Sequence, residues 1–318
     1  MNGIADRRNR NVGCLSFPIV IGSTITNRTA LRRSGSLSRE SLLKWLAGVP
    51  HKKIYTAFGS DMAAPAPVTV GVLALQGAFV EHITLLQQAA TQRQYDQAFD
   101  FIQVRTPAEL SRCAALILPG GESTSISLIA ERTSLLEPLR DFVKVQRKPV
   151  WGTCAGLILL AESANKSKTT GQELIGGLDV QVQRNYFGRQ VESFEAELAL
   201  SFLPTGEPFH SVFIRAPVVE KVLSSAPDRR ESIITAPAKQ ATEAEVEILG
   251  RLPGRAKVLR EVTETAGELG EEGDIVAVRQ GNVFGTAFHP ELTGDARIHA
   301  WWLGEVVKAA QAGSETLG

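Results

Sequence analysis

Cys154 is the residue with the clearest potential for covalent chemistry, and it lies in the string Gly152-Thr153-Cys154-Ala155-Gly156. An apolar strand is predicted before this string and an apolar helix after it. The glycines permit a sharp strand-to-helix turn, a G-x-C-x-G version of the nucleophile elbow. Such a turn lifts the sulfur above the sheet edge, where the N-terminus of the following helix stabilises a thiolate. The alternative is a small buried hydrophobic residue, which is what we expect of Cys14 and Cys113.

A cysteine nucleophile needs a base, and His289 is the best candidate in the chain. It is followed by Pro290 and Glu291, and proline favours an extended conformation in the residue before it. Because residues i and i+2 share one face of an extended segment, Glu291 can orient the ring of His289 and stabilise its imidazolium form. Alone, His-Pro-Glu is more often a surface turn. With the cysteine elbow it predicts a triad of Cys154, His289 and Glu291.

The other four histidines are weaker candidates for the base. His51 lies in the N-terminal segment. His82 and His299 fall within predicted helices, where we expect surface or packing positions. His210 opens a predicted strand, and we expect no acidic partner near it.

Acyl transfer also needs donors for the developing oxyanion. The string Leu118-Pro119-Gly120-Gly121-Glu122-Ser123 follows a predicted parallel strand, and its glycines allow backbone N–H groups to approach a ligand. We expect the N–H groups of Gly121 and Ala155 to form the oxyanion hole. The alternative is an ordinary β-to-α turn.

Alternating strands and helices position these residues. Strands are predicted at 68–75, 99–104, 114–118 and 149–151, with helices between them, which indicates a parallel sheet covered on both faces. Further strands are predicted at 179–183, 193–200, 209–214, 257–262, 275–279 and 283–288, before a closing helix at 295–311. Residues 224–256 are charged, contain prolines and show weak periodicity. They are predicted as a long surface insertion without regular structure.

Composition separates a basic N-terminal segment from the rest of the 318-residue chain. Residues 1–61 contain ten Lys or Arg and three Asp or Glu. We expect an extension that is either disordered or mis-assigned, with Met62 as a natural start; a mitochondrial transit peptide is the alternative. Residues 62–318 are expected to form the globular domain. The net charge of zero gives no indication of nucleic acid or a membrane surface as partner.

Three cysteines without paired spacing predict neither a disulfide framework nor a structural zinc, and they fit a reducing compartment. No cofactor or metal is expected, and the cytoplasm is the expected location.

Seven strings in this order resemble those of the class I, triad-type glutamine amidotransferases, and in particular the glutaminase subunits of pyridoxal 5′-phosphate synthase, over about 68–222 and 257–310. They are Leu75-Gln76-Gly77, Pro119-Gly-Gly-Glu-Ser-Thr124, Gly152-Thr-Cys-Ala-Gly156, Arg184-Asn-Tyr-Phe-Gly-Arg-Gln190, Ser193-Phe-Glu-Ala196, Phe213-Ile-Arg-Ala-Pro217 and Phe288-His-Pro-Glu-Leu-Thr293. The resemblance implies a flavodoxin-like three-layer α/β/α fold with a mixed, mostly parallel sheet.

The resemblance further implies that glutamine is hydrolysed through a thioester on Cys154. The ammonia would pass to a separate (β/α)8-barrel synthase subunit, which makes pyridoxal 5′-phosphate in vitamin B6 biosynthesis. By the family's pattern the residues expected to contact glutamine are Gly121, Glu122, Ser123, Arg184, Ile214 and Arg215. Gln76 is expected to meet the synthase and to help order the oxyanion loop.

Two other functions remain open at the level of sequence. One is the glutaminase subunit of another amidotransferase, such as imidazole glycerol phosphate synthase, which the strings around Arg184 and Arg215 disfavour. The other is a non-catalytic binding or stress-response protein on the same scaffold. The intact set of Cys154, His289 and Glu291 disfavours that second alternative.

Overall fold

The computed structural model describes residues 66–93, 95–165, 172–186, 193–204, 206–223, 233–237, 244–253 and 273–315. The basic segment 1–61 and the strand predicted at 257–262 lie outside these residues. None of the helices within them has both the length and the hydropathy needed to cross a bilayer.

A block of five parallel strands carries the predicted site. These strands are β1 (Val68–Leu73), β2 (Phe99–Val104), β3 (Ala115–Leu118), β4 (Val150–Thr153) and β13 (Val283–Thr286), in the spatial order β2-β1-β3-β4-β13. The residues of β3 and β4 are buried throughout. Continuous apolar runs form such strands because both faces are covered.

Helices connect these strands and pack in two groups. The helices are α1 (Phe79–Gln92), α2 (Pro107–Ser111), α3 (Ser123–Arg132), α4 (Leu136–Arg140), α5 (Ala155–Leu160) and α6 (Arg297–Glu315), with a π turn at Asp141–Val145 and a 3-10 turn at Pro290–Leu292. Helix α1 packs on α6, whereas α3 contacts α4 and α5. The chain thus has the predicted three-layer α/β/α organisation.

The second half of the chain extends the same sheet with mixed pairing. Its strands are β5 (Ala161–Asn165), β6 (Leu178–Gln183), β9 (Val218–Val222), β10 (Ile233–Thr235), β11 (Val246–Leu252) and β12 (Asp274–Gln280). Among the described strands of this sheet, only β5, β6 and β12 run against β1, so the mostly parallel sheet is confirmed. Strands β7 (Ser193–Leu198) and β8 (Phe209–Ile214) pair separately.

The expectation that 224–256 lacks regular structure is wrong for its described parts. Strand β10 pairs with β5, and β11 pairs with β12, so both belong to the main sheet. The register of β11 shifts on both sides of Gly250. This irregularity interrupts the alternation of apolar and polar residues that identifies a strand from sequence.

Candidate active site

Cys154 lies at the predicted elbow between β4 and α5. Its backbone has φ 47° and ψ −98°, a region that non-glycine residues rarely occupy, and its side chain is 6% exposed. Its N–H donates to the carbonyl of Thr286 at 2.8 Å. A Cβ on Gly156 would lie 2.0 Å from the carbonyl oxygen of Leu118, so the glycine lets α5 start directly against β3. Such a conformation costs about 1–3 kcal/mol and occurs mainly at functional sites.

His289 and Glu291 lie at the same sheet edge. His289 follows β13 by three residues, and Glu291 is within the 3-10 turn. The Nδ1 atom of His289 is 2.8 Å from Oε1 of Glu291, and both side chains are buried. The N–H of His289 also donates to the carbonyl of Val212 in β8 at 2.8 Å, which fixes the backbone under the ring.

The environment of His289 favours its protonated form. Burial alone lowers the pKa of His289, but side-chain hydrogen bonds with Cys154 and Glu291 and their negative charges raise it to about 10. Burial raises the pKa of Glu291, but the neighbouring His82 and His289 outweigh this effect and bring the pKa below its usual value. An ionised carboxylate beside an imidazolium is the arrangement that a thiolate nucleophile needs.

The glycine loop after β3 lies against this triad. A Cβ on Gly120 would be 2.3 Å from Cε1 of His289, and one on Gly77 would be 1.8 Å from the carbonyl oxygen of Gly120. The Oε1 atom of Gln76 accepts a hydrogen bond from the N–H of Glu122 at 2.8 Å. The first loop, which holds Gln76, is therefore joined directly to the loop that holds Gly121.

The predicted oxyanion donors come from this loop and from the elbow. Gly121 lies beside Gln76, because a Cβ on Gly121 would be 2.3 Å from the Oε1 atom of Gln76. Ala155 is the first residue of α5, and the first N–H groups of a helix have no acceptor within the helix.

Glu122 caps helix α3. Its carboxylate accepts hydrogen bonds from the N–H groups of Thr124 and Ser125 and from the hydroxyl of Ser125, at 3.0, 2.7 and 2.6 Å. Burial raises the pKa of Glu122, but these hydrogen bonds outweigh it and lower the pKa to about 2. The side chain is thus an anion held in place, and its contact with a substrate ammonium stays a prediction.

Arg184 and Ser123 meet around a residue that the sequence did not single out, Gln172. The Oε1 atom of Gln172 accepts hydrogen bonds from the Ser123 hydroxyl at 3.2 Å, from the Thr124 hydroxyl at 3.3 Å and from Nη1 of Arg184. Burial lowers the pKa of Arg184, and Glu122 partly opposes this shift. Arg184 is also fixed by its Nε donating to the carbonyl of Asn165 at 3.0 Å. No motif surrounds Gln172 in the sequence, so sequence alone does not indicate that it contacts Ser123 and Arg184.

Ile214 and Arg215 are exposed at the end of β8, the strand that holds the backbone of His289 through Val212. Arg215 has a left-handed backbone with φ 42°.

His210 in the same strand was expected to have no acidic partner, and this is wrong. Its ring nitrogens lie 2.9 Å from Glu197 and 3.3 Å from Glu195. The reason is the antiparallel pairing, which puts Glu197 of β7 opposite His210.

His82 and His299 are fully buried, as packing positions would be, but His82 also contacts the triad and His299 contacts His82. His82 Nε2 is 3.4 Å from Oε2 of Glu291, and His82 Nδ1 is 3.0 Å from Nε2 of His299. The sequence does not predict this cluster, because the two histidines are 217 residues apart in the chain.

Cys113 is a different kind of cysteine. It is buried in the core, and burial raises the pKa of its thiol to about 11, so it has no tendency to act as a nucleophile. In the described part of the chain, no group of three or more His, Cys, Asp or Glu side chains is arranged to hold a metal ion.

A cysteine on a strand-to-helix elbow, with a histidine and a carboxylate at the same edge of an α/β sheet, defines a triad-type cysteine amidohydrolase. Comparison with protein families matches residues 72–246 and 239–308 to the SNO glutamine amidotransferase family. The chain belongs to this family.

Individual relatives agree with this assignment. The pyridoxal 5′-phosphate synthase subunit PdxT of Herpetosiphon aurantiacus is 42% identical over 238 residues, which are 74% of this chain and 100% of the relative. The probable subunit PDX2 of Arabidopsis thaliana is 41% identical over 78% of this chain and 89% of its own length. A crystal structure of a glutamine amidotransferase is similar at 37% identity and a TM-score of 0.51, over 74% of this chain and 98% of that one.

Proposed function

We propose that this protein hydrolyses L-glutamine to L-glutamate and ammonia through a thioester on Cys154, and that it delivers the ammonia to a synthase subunit that makes pyridoxal 5′-phosphate. The observation that carries the proposal is the triad itself. Cys154 stands at a strained elbow, its interaction with His289 helps to raise the pKa of that imidazole, and Glu291 Oε1 lies 2.8 Å from Nδ1 of the same ring.

The first half of the reaction forms the thioester. The Cys154 thiolate attacks the side-chain carboxamide carbon of glutamine, a C–S bond forms, and the electron pair of the C=O π bond moves onto the oxygen. The N–H groups of Gly121 and Ala155 stabilise this oxyanion. The imidazolium of His289 then donates its proton to the nitrogen, the C–N bond breaks, and ammonia leaves.

The second half releases glutamate. His289, now neutral, takes a proton from a water molecule that attacks the thioester carbon. The tetrahedral intermediate collapses, the C–S bond breaks, and the Cys154 thiolate is restored beside a protonated His289. Glu291 stabilises the imidazolium at both stages and is not itself protonated.

Binding of glutamine requires a cation for its carboxylate and an acceptor for its ammonium. Arg184 and Arg215 are the cations that we assign to the carboxylate, and Glu122 is the acceptor that we assign to the ammonium. Ser123 and Ile214 complete the pocket. Support comes from Glu122, whose carboxylate is held as an anion at the N-terminus of α3.

We propose a (β/α)8-barrel synthase subunit as the partner, since relatives of this chain are named as subunits of pyridoxal 5′-phosphate synthase. Gln76 is the contact through which the partner acts on the oxyanion loop. The hydrogen bond from the N–H of Glu122 to Gln76 supports this path.

The test is a glutaminase assay with and without the purified synthase subunit, following ammonia and pyridoxal 5′-phosphate together. We expect slow hydrolysis by the protein alone, a marked rise on adding the synthase, and pyridoxal 5′-phosphate formed from glutamine nitrogen. Cys154→Ala with the same synthase is the matched control, and ammonium salt supplied to that mixture restores product. Absence of glutamine hydrolysis under both conditions would rule the function out.

A further inference from the structure

Given the glutaminase function proposed above, we propose that His82 is a positioning residue of the triad: its Nε2–H, directed by His299, holds the outer carboxylate oxygen of Glu291. His82 belongs to α1 and His299 to α6, two helices that pack together. Neither histidine takes part in the hydrolysis steps.

Polar contacts of His82 run in two directions. Toward the triad, its Nε2 lies 3.4 Å from Oε2 of Glu291 and 3.3 Å from Oγ1 of Thr153. Away from the triad, its Nδ1 lies 3.0 Å from Nε2 of His299. The Trp151 ring packs edge-on against both imidazoles, with centroids 5.5 and 4.8 Å away. Both histidines are fully buried, so these neighbours determine their protonation.

Both imidazoles are neutral. Burial lowers the pKa of His82 to about 3; Glu291 opposes this shift, and His299 and His289 add to it. Burial likewise lowers the pKa of His299 to about 3. Each ring therefore carries one N–H, and the short contact between the two rings means that one of them donates to the other.

One arrangement of the two hydrogens suits all neighbours. His299 carries its hydrogen on Nε2 and donates it to Nδ1 of His82. His82 then carries its own hydrogen on Nε2, where it points at Oγ1 of Thr153 and at the carboxylate of Glu291. Only Nδ1 of His299, which has no partner within the described residues, is left as an unused acceptor.

The opposite arrangement is unfavourable at both ends. His82 would donate from Nδ1 and turn a bare Nε2 lone pair toward the carboxylate oxygen 3.4 Å away. His299 would have to carry its hydrogen on Nδ1, a buried donor without an acceptor. Orphaned buried N–H groups are rarer in proteins than unused acceptors, because their desolvation is not compensated.

The favoured arrangement gives Glu291 a donor on each side. Oε1 faces Nδ1 of His289 at 2.8 Å. Oε2 is buried and makes no hydrogen bond of standard geometry within the described residues, so a small approach by His82 satisfies it. A carboxylate held at both oxygens cannot rotate away from His289, which keeps the imidazole aligned with Cys154.

The direct test is the tautomer of His82, read from long-range ¹H–¹⁵N NMR spectra of the full-length protein with His82→Gln used for assignment. We expect a protonated Nε2 and a bare Nδ1 in His82. A hydrogen on Nδ1 of His82 overturns the proposal.

Kinetics test the function of that hydrogen. His82→Leu is expected to lower kcat about 10- to 100-fold with little change in KM for glutamine, the usual size of effect for a group that orients a catalytic side chain. The acid limb of kcat/KM should move to higher pH, because Glu291 is protonated more easily without this donor. His82→Gln, which keeps an N–H near the Nε2 position, should recover most of kcat.

The His299→Phe variant separates the hydrogen bond that His299 donates to His82 from the packing of its ring. It keeps a ring against Trp151 but removes the donor to His82, so we expect a fall in kcat. The double variant His82→Leu/His299→Phe should be no slower than His82→Leu, since both changes remove one interaction. Leu86→Ala, one turn along α1 and buried, is the control that loosens packing alone, and its kcat should match the wild type.

Three outcomes overturn the proposal while the wild type is active: full kcat in a folded His82→Leu or His299→Phe, additive losses in the double variant, or an equal loss in Leu86→Ala. A wild type without glutaminase activity would instead refute the proposed function itself.

Discussion

Glu291 separates two regions of the molecule in which histidines are in opposite states. On the side of the sheet edge, the pKa of His289 is raised to about 10; on the interior side, the pKa of His82 is lowered to about 3. Both rings are buried and both lie near the same carboxylate. The pKa of His289, however, is raised by Cys154 and by a carboxylate oxygen 2.8 Å from its Nδ1, whereas His82 approaches Glu291 at 3.4 Å and faces another imidazole. Close anionic partners, more than the extent of burial, therefore determine which histidine is protonated.

The largest effect is expected from the sheet-edge side. Cys154→Ala should abolish glutamine hydrolysis, because no other described cysteine lies at the site, while thermal unfolding stays close to that of the wild type. Alanine keeps the Cβ that strains the left-handed backbone at position 154, so the substitution leaves that strain unchanged. Ammonia release and a melting curve check both parts. Full activity would remove Cys154 from the mechanism.

The second prediction removes the charge that the two regions share. Glu291→Gln should lower kcat by about 10³- to 10⁴-fold, as for a triad that loses its orienting carboxylate. Glu291 raises the pKa of His289, so its loss should lower that pKa and move the alkaline limb of kcat to lower pH. A pH profile of ammonia release measures this shift. An unmoved alkaline limb would mean that the sulfur alone keeps His289 protonated.

The smallest effect is expected at a histidine that has carboxylate neighbours but no burial. His210 contacts Glu195 and Glu197 with a side chain that is 44% exposed. His210→Ala should change the free energy of unfolding by less than about 1 kcal/mol, since exposed pairs are weakened by solvent. Its kcat should equal that of the wild type. A large loss of activity would show that the β7–β8 pair takes part in more than packing.

Local patterns made the parallel half of the fold predictable. Strand β3 was predicted to within one residue of its observed bounds, because a buried parallel strand is a continuous apolar run. Strands β5, β9, β10 and β11 were not predicted. They are short or irregular, and β11 shifts register at Gly250, so their residues do not alternate in a recognisable way.

The residues of the site likewise divide into those that a local sequence pattern predicts and those that it does not. Cys154 and the pair of His289 and Glu291 are each marked by neighbours in sequence, a glycine-flanked turn and a proline. Gln172 and His82 acquire their positions through contacts with distant segments, at separations of 48 and 49 residues for Gln172 and of 217 residues for His82. No short string records such contacts, so sequence alone could not identify them.

The hydrogen bond between Gln76 and the N–H of Glu122 has a thermodynamic consequence. It joins the loop that we assign to the partner with the loop that we assign to glutamine, at 2.8 Å. Two sites linked through one contact are coupled, and equilibrium coupling is reciprocal. By whatever factor the synthase subunit tightens glutamine binding, glutamine must tighten the hold on the synthase. If those two assignments hold, the complex with the synthase subunit is most stable when glutamine is bound.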